Sequence, residues 1–241
     1  MRTAFDDAHE DRQILEERFG DHGAFTPAAD GVVEEDRVLA FLRVREALSE
    51  IHGEIEEVDQ KMGSFEELAD GEEPPMMEAL PAIFGLTKSM MGLPWTFGEI
   101  ERTRNRALVD AEMGLGEYIY IYMLAYHDQL VAPTQEANLF GASAANSRVR
   151  ANLREMIQGQ LAAARAAESA DEGLVAALAA EAQALDADDR RIPWQDGLPA
   201  QIAASFAGHR ERLDSSYSVA AAEFELLNSS VEGGGLRIEM N

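Results

Sequence analysis

Between residues 33 and 62 apolar side chains recur at steps of three and four. Val38, Phe41, Leu48, Ile51, Ile55, Val58 and Met62 fall in this register, with Arg45 inside it and Val44 as its apolar neighbour. Such steps keep side chains on one face of a 3.6-residue helix, so the pattern predicts a long helix that buries a single stripe. Glu46, Glu50, Glu54 and Glu57 take the opposite side. Gly53 weakens the helix by about 1 kcal/mol relative to alanine, and Gly63-Ser64 is expected to end it.

The other segments read as helices of the same kind. Residues 5–18 predict a short polar helix with Ile14, Leu15 and Phe19 as its apolar points, followed by a Gly- and Asp-containing loop over 20–31. An acidic linker, 64–75, closes on Pro74-Pro75, and Met76 to Met91 reads as a short, Met-rich, buried or lid-like helix. Helices are expected at 96–113, 144–168 and 171–186, the last opened by Asp171-Glu172, which complement the helix dipole. A final helix over 198–228 carries the stripe Leu198, Ile202, Phe206, His209, Leu213, Tyr217, Ala220, Phe224 and Leu227.

Glu117 to Leu130, EYIYIYMLAYHDQL, is ambiguous in isolation. Alternation would make it a strand with Tyr118, Tyr120 and Tyr122 on one face; helical spacing instead aligns Tyr118, Tyr122 and Tyr126. No second strand exists for it to pair with, so helix is expected. The fold class that follows is all-α: a helical bundle of six or seven helices with long surface connections. Its expected organisation is a polar N-terminal segment, 1–31, a helical domain, 32–228, and a flexible C-terminal tail, 229–241.

Charge narrows the partners. Asp and Glu number 45 against 20 Lys and Arg, a net charge of −25, which opposes binding to nucleic acid or to anionic membrane surfaces. Lys61 and Lys88 are the only lysines, and such an acidic, lysine-poor surface also suits a high-salt habitat, where self-repulsion is screened. The absence of cysteine excludes disulfides, thiolate catalysis and Cys-ligated metals. No apolar run approaches the roughly 20 residues that span a bilayer, so the chain as given is not expected to be transmembrane. Met1 to Glu10 is polar. The expected location is periplasmic or envelope-associated if a leader was removed, and otherwise cytoplasmic.

Metal-ligand spacing would show first in the histidines, which are His9, His22, His52, His127 and His209. None lies in a Glu-x-x-His or His-x-x-x-His spacing, so neither a metal nor a cofactor is expected. No phosphate loop or nucleophile elbow is present. The suggestive cluster is Tyr118, Tyr120, Tyr122, Tyr126 and His127, which could line a ligand site, with Tyr118, Tyr122, Tyr126 and His127 as its candidate residues, or simply pack in the bundle, the reading favoured here. His209 is expected as a hydrogen-bonded core histidine, His52 as a surface residue, and Arg102, Arg104 and Arg106 as members of helix-surface pairs. These features favour a non-catalytic binding or interaction protein with a protein or small-molecule partner. A small-molecule-binding protein using the Tyr118–His127 region, or an enzyme whose site is assembled from distant residues, stand as alternatives.

Two segments, Asp36 to Leu48 (DRVLAFLRVREAL) and Leu115 to Tyr126 (LGEYIYIYMLAY), resemble bacterial exported or lipid-anchored all-α proteins that are themselves uncharacterised. The resemblance covers about a tenth of the chain. It implies an envelope location and transfers no functional residue.

Overall fold

A computed structural model describes residues 4–20, 22–69, 99–133, 144–167, 171–187 and 189–227. All regular structure among the described residues is helical. Helix α1 spans Ala4–Phe19 and is followed by a 3-10 turn, His22–Ala24. Helix α2 spans Glu35–Ala69. It runs through Gly63-Ser64, where its end was expected, because one glycine costs a long helix only about 1 kcal/mol. Helix α3 occupies 99–110 of the described residues, and α4 is Leu115–Ala125. The Met-rich segment 76–91 and the tail 229–241 lie outside the described residues.

The ambiguous tyrosine segment is therefore a helix, and it is buried in the core of the described residues. Every residue of α4 from Tyr118 to Ala125 is buried. A helix that is apolar on all sides has no solvent face to keep, which is why its hydrophobicity lacks helical periodicity. The helix is interrupted at Tyr126, with φ −108° and ψ 20°, and a short helix, α5 (His127–Leu130), follows.

Helices α6 (Ala144–Ala166) and α7 (Glu172–Asp186) pair with each other, Leu153 and Ile157 of one and Leu178 and Leu185 of the other joining the common core. Asp171 caps α7, its Oδ1 accepting from the backbone N–H of Gly173 at 2.8 Å and of Leu174 at 3.2 Å. Leu15 of α1 is buried in the same core.

The expected final helix over 198–228 is instead a series of short ones: α8 (Ala200–Ala204), a 3-10 turn (Ala207–His209), α9 (Arg210–Ser216) and α10 (Val219–Leu227). Tyr217 is extended, with ψ 131°. Ser218 then starts α10, its hydroxyl accepting from the Ala221 N–H at 3.3 Å. This break changes the register. Periodicity carried through it expects Ala220, Phe224 and Leu227 inward; in the structure Ala221, Ala222, Glu225 and Leu226 are buried and Ala220 is half-buried, while the side chains of Phe224 and Leu227 lie outside the described ones. The extra helices relative to the expected six or seven arise from these breaks and from the one at Tyr126.

Candidate functional site

The α2 stripe contains polar members. Val38, Phe41, Leu48 and Ile55 are buried as expected, but so are Arg45, at 0% exposure, and His52. His52 rather than Ile51 continues the steps of three and four, and Ile51 is only half-buried. The expectation of a surface His52 is therefore corrected, and its cause is Glu225. After the break at Tyr217, α10 delivers the Glu225 carboxylate into the core, against the Arg45 guanidinium and with Oε1 2.5 Å from His52 Nε2. Tyr118 donates its hydroxyl hydrogen to Glu225 Oε2 at 2.9 Å, and Arg45 donates to the Ser216 carbonyl at 2.7 Å.

Aromatic rings complete the enclosure. The Arg45 guanidinium carbon lies 5.1 Å from the Tyr122 ring centre and 5.3 Å from that of Tyr126, within cation–π range. Phe41, Tyr118, Tyr122, Tyr126 and Tyr217 pack around it with ring separations of 4.8 to 6.3 Å. Arg104 is buried beside this cluster and donates to the Glu225 carbonyl at 3.5 Å. The expectation that Arg104 sits on a helix surface is thus corrected; Arg106, 3.7 Å from Asp110 on the exposed side, does form the expected pair.

Electrostatics follow from this packing. Burial alone would push the Glu225 pKa up, but Arg45, His52 and Tyr118 together hold it below the usual carboxylate range. Burial pushes the tyrosine hydroxyls up: Tyr118 and Tyr122 strongly, Tyr217 to about 12. Arg104, taken out of water, is lowered from the ordinary arginine value. These directions favour a charged Glu225 carboxylate and neutral tyrosine hydroxyls in the interior.

Tyr118, Tyr122 and Tyr126 are brought together on one face, towards Arg45. His127 is not with them. Beyond the bend at Tyr126 it turns to the Trp194 carbonyl, 2.8 Å from Nε2. That carbonyl belongs to a second buried polar node, in which Glu181 Oε1 accepts from the Trp194 N–H at 2.9 Å and Arg190 lies 3.3 Å from Glu181 Oε2. Trp194 is held there at φ 60°, a conformation non-glycine residues seldom adopt. His209, expected in the core, is instead half-buried at the rim, 3.5 Å from the exposed Glu35 carboxylate. It ends the 3-10 turn, which rotates it off the apolar face.

Open space lies on the other side of α4. A cavity of about 310 Å³ is bounded by the loop over 25–34, by the start of α2 and by Glu117, Tyr120 and Ile121 of α4. Its floor is apolar, with the Phe25 and Tyr120 rings tilted at 5.7 Å from each other. The Tyr120 hydroxyl donates to the Gly31 carbonyl at 3.3 Å. Gly31 is at φ +70°, and a Cβ there would meet Gln160 Nε2 and Ile202 Cδ1, so any side chain at this position is disfavoured. On the wall, Arg37 binds Glu117 through two parallel bonds of 2.6 Å and donates to the Glu112 carbonyl at 3.1 Å. Thr26, Ala28, Asp30 and Glu34 are exposed at the mouth.

Sequence reasoning misses this cleft. It groups Tyr120 with the other tyrosines and takes the helical stripe as the candidate site, whereas Tyr120 lines the cleft and bonds the Gly31 carbonyl. A signal is nevertheless available, since Arg37 and Glu117 lie in the two segments quoted above for their resemblance, and so do Arg45 and Tyr118. Compared with protein-family models, curated proteins and solved structures, the chain gives no significant match. Roles for these residues therefore come from geometry alone. Among the described residues no group of three His, Asp or Glu side chains is placed to hold a metal, and no helix is long and apolar enough to cross a membrane.

Proposed function

We propose that this is a non-catalytic helical binding protein that takes a small molecule in the cleft between the 25–34 loop, α2 and α4. The observation that carries the reading is the cleft itself. At about 310 Å³ it has the scale of a small-ligand site, and its apolar floor bears polar groups on the wall and mouth. The tyrosine stripe supports a structural role better than a binding one, because its rings fill the space around Arg45 with one another.

The titratable groups of the interior and of the cleft wall, as distinct from Asp30 and Glu34 at its mouth, support the non-catalytic part. Catalysis by proton transfer needs a group that can reach a substrate and change state. Glu225, Arg45 and Tyr118 are buried in mutual contact, His127 is committed to the Trp194 carbonyl, and Arg37 is paired with Glu117. A protein partner is the weaker reading, since the large apolar side chains exposed among the described residues, Val32 and Val219, are isolated ones.

Ala28→Trp provides the test. Ala28 is exposed on the cleft lining, so an indole there blocks the cavity without entering the core. Wild type and variant are incubated with a small-molecule extract of the producing cells and compared by native mass spectrometry. A ligand held by the wild type and lost from Ala28→Trp is expected. Equal retention, or no retained molecule in either, overturns the reading.

A further inference from the structure

The cleft carries an imbalance of charge that its own pairs do not cancel. Its lining holds three carboxylates, Asp30, Glu34 and Glu117, against one guanidinium, Arg37. Glu117 accepts both bonds of that guanidinium's fork, which neutralises the wall. Asp30 and Glu34 remain at the mouth. Asp30 accepts the Val32 N–H at 3.0 Å, which fixes the carboxylate in place without neutralising it. The Glu34 carbonyl accepts the N–H groups of Arg37 and Val38, so its backbone is anchored as the entry to α2.

The same cleft is lined by the Phe25 and Tyr120 rings. An aromatic face attracts a cation and also accepts an apolar body, whereas it offers nothing to a carboxylate or phosphate. A bound anion would meet the Asp30 and Glu34 carboxylates and an arginine already engaged. Charge and aromatic surface therefore select the same ligand chemistry.

Resting on the reading of the cleft as the binding site, we propose that its ligand is an organic ammonium ion carrying a small apolar or aromatic body. The ammonium sits between the Asp30 and Glu34 carboxylates, and the body lies on the Phe25–Tyr120 floor. The net charge of −25 adds a long-range pull on any cation, which salt screens, while the local contacts confer the selectivity.

The experiment uses three probes of similar shape: benzyltrimethylammonium, benzyl alcohol and phenylacetate. Each is titrated into the methyl-labelled full chain at constant ionic strength, with the Val33 and Ile121 methyl signals as cleft reporters and the exposed Val219 methyl as a reporter outside it. The cation is expected to shift the cleft signals saturably, at least about tenfold more tightly than either other probe, a difference of about 1.4 kcal/mol or more. The Asp30→Asn, Glu34→Gln double variant is expected to lose most of that preference while its remaining methyl spectrum stays unchanged. An amide oxygen at position 30 still accepts the Val32 N–H, so folding is preserved. If benzyl alcohol or phenylacetate saturates the cleft signals as tightly as the cation, the ammonium assignment is overturned and the cleft remains a binding site. If the cation moves Val219 in step with the cleft reporters, the attraction is diffuse and the assignment is overturned. If none of the three moves the cleft signals, both this assignment and the cleft reading fall.

Discussion

The guanidinium of Arg45 meets the carboxylate of Glu225 in the fully buried interior, across 180 residues of intervening chain. Two charges taken out of water attract each other strongly, but they first give up their hydration, so the pair contributes less than its Coulomb energy suggests. Its larger effect is on what happens when one member is removed. Glu225→Gln leaves Arg45 without a counter-ion and is expected to cost about 3–5 kcal/mol. Adding Arg45→Met to it should recover a large part of that loss. Urea titrations of the two single variants and the double variant measure the coupling; additive losses would show that the charges do not depend on each other.

Tyr118 and Tyr122 make opposite predictions from the same substitution. The Tyr118 hydroxyl bonds Glu225, so Tyr118→Phe should destabilise by about 1–3 kcal/mol. The Tyr122 hydroxyl is buried without a hydrogen-bond partner. Removing an unsatisfied buried group removes its desolvation cost, so Tyr122→Phe is expected to be neutral or stabilising. Melting curves of the two variants decide the matter, and equal destabilisation would contradict the assignment.

Stability should fall at both ends of the pH scale, for two separate reasons. Glu225 has a folded pKa below its unfolded value, so its contribution is complete above the ordinary carboxylate pKa of about 4.3 and is lost as pH falls through the folded value. The five tyrosines of the chain are Tyr118, Tyr120, Tyr122, Tyr126 and Tyr217, and burial is the first cause that raises each of them. Their contribution is complete below the ordinary value of about 10 and declines as pH rises above it. Tyrosinate absorbance should therefore appear together with loss of helical circular dichroism. Ionisation of several tyrosines in a fully folded chain would contradict their burial.

Gly31 sets the shape of the cleft. Its φ of +70° disfavours any side chain, and a methyl group would collide with Gln160 and Ile202. Gly31→Ala combines a conformational cost of about 1–2 kcal/mol with overpacking of about 1–3 kcal/mol. The expected outcome is a loss above about 2 kcal/mol together with displaced Val33 and Ile121 methyl signals. An alanine variant as stable as wild type would show that the loop takes another path.

With a net charge of −25, self-repulsion opposes the compact state, and added salt screens it. A higher melting temperature is expected in about 1 M NaCl, where the Debye length is about 3 Å, than in dilute buffer. A flat or falling dependence would remove the argument for a high-salt habitat along with this one.

The helices are legible in the sequence, and the polar residues between them are not. Steps of three and four locate α2, α6 and α7 because each has one wet face. Helix α4 has none, and is decided by the lack of a strand to pair with it. His52 looks solvent-exposed beside Glu50 and Glu54 because its partner lies in the final helix. Glu225 in turn looks exposed when a regular period is carried through Tyr217, where the backbone becomes extended. Ser218 is the local clue to that break: serine is a strong helix-start residue, and its hydroxyl caps α10. The cleft is harder to see, since it depends on the path of a loop whose turn at Gly31 is fixed by tertiary neighbours rather than by periodicity.

The partnership between Arg45 and Glu225 also sets an order of events during synthesis. When α2 leaves the ribosome, the counter-ion for its buried arginine has not been made. At about 5–20 residues per second, the intervening 180 residues take roughly 9–36 seconds to translate. Until then the apolar stripe of α2 carries an arginine that favours water over a closed core. Burial of Arg45 beside its carboxylate partner therefore has to wait for α10.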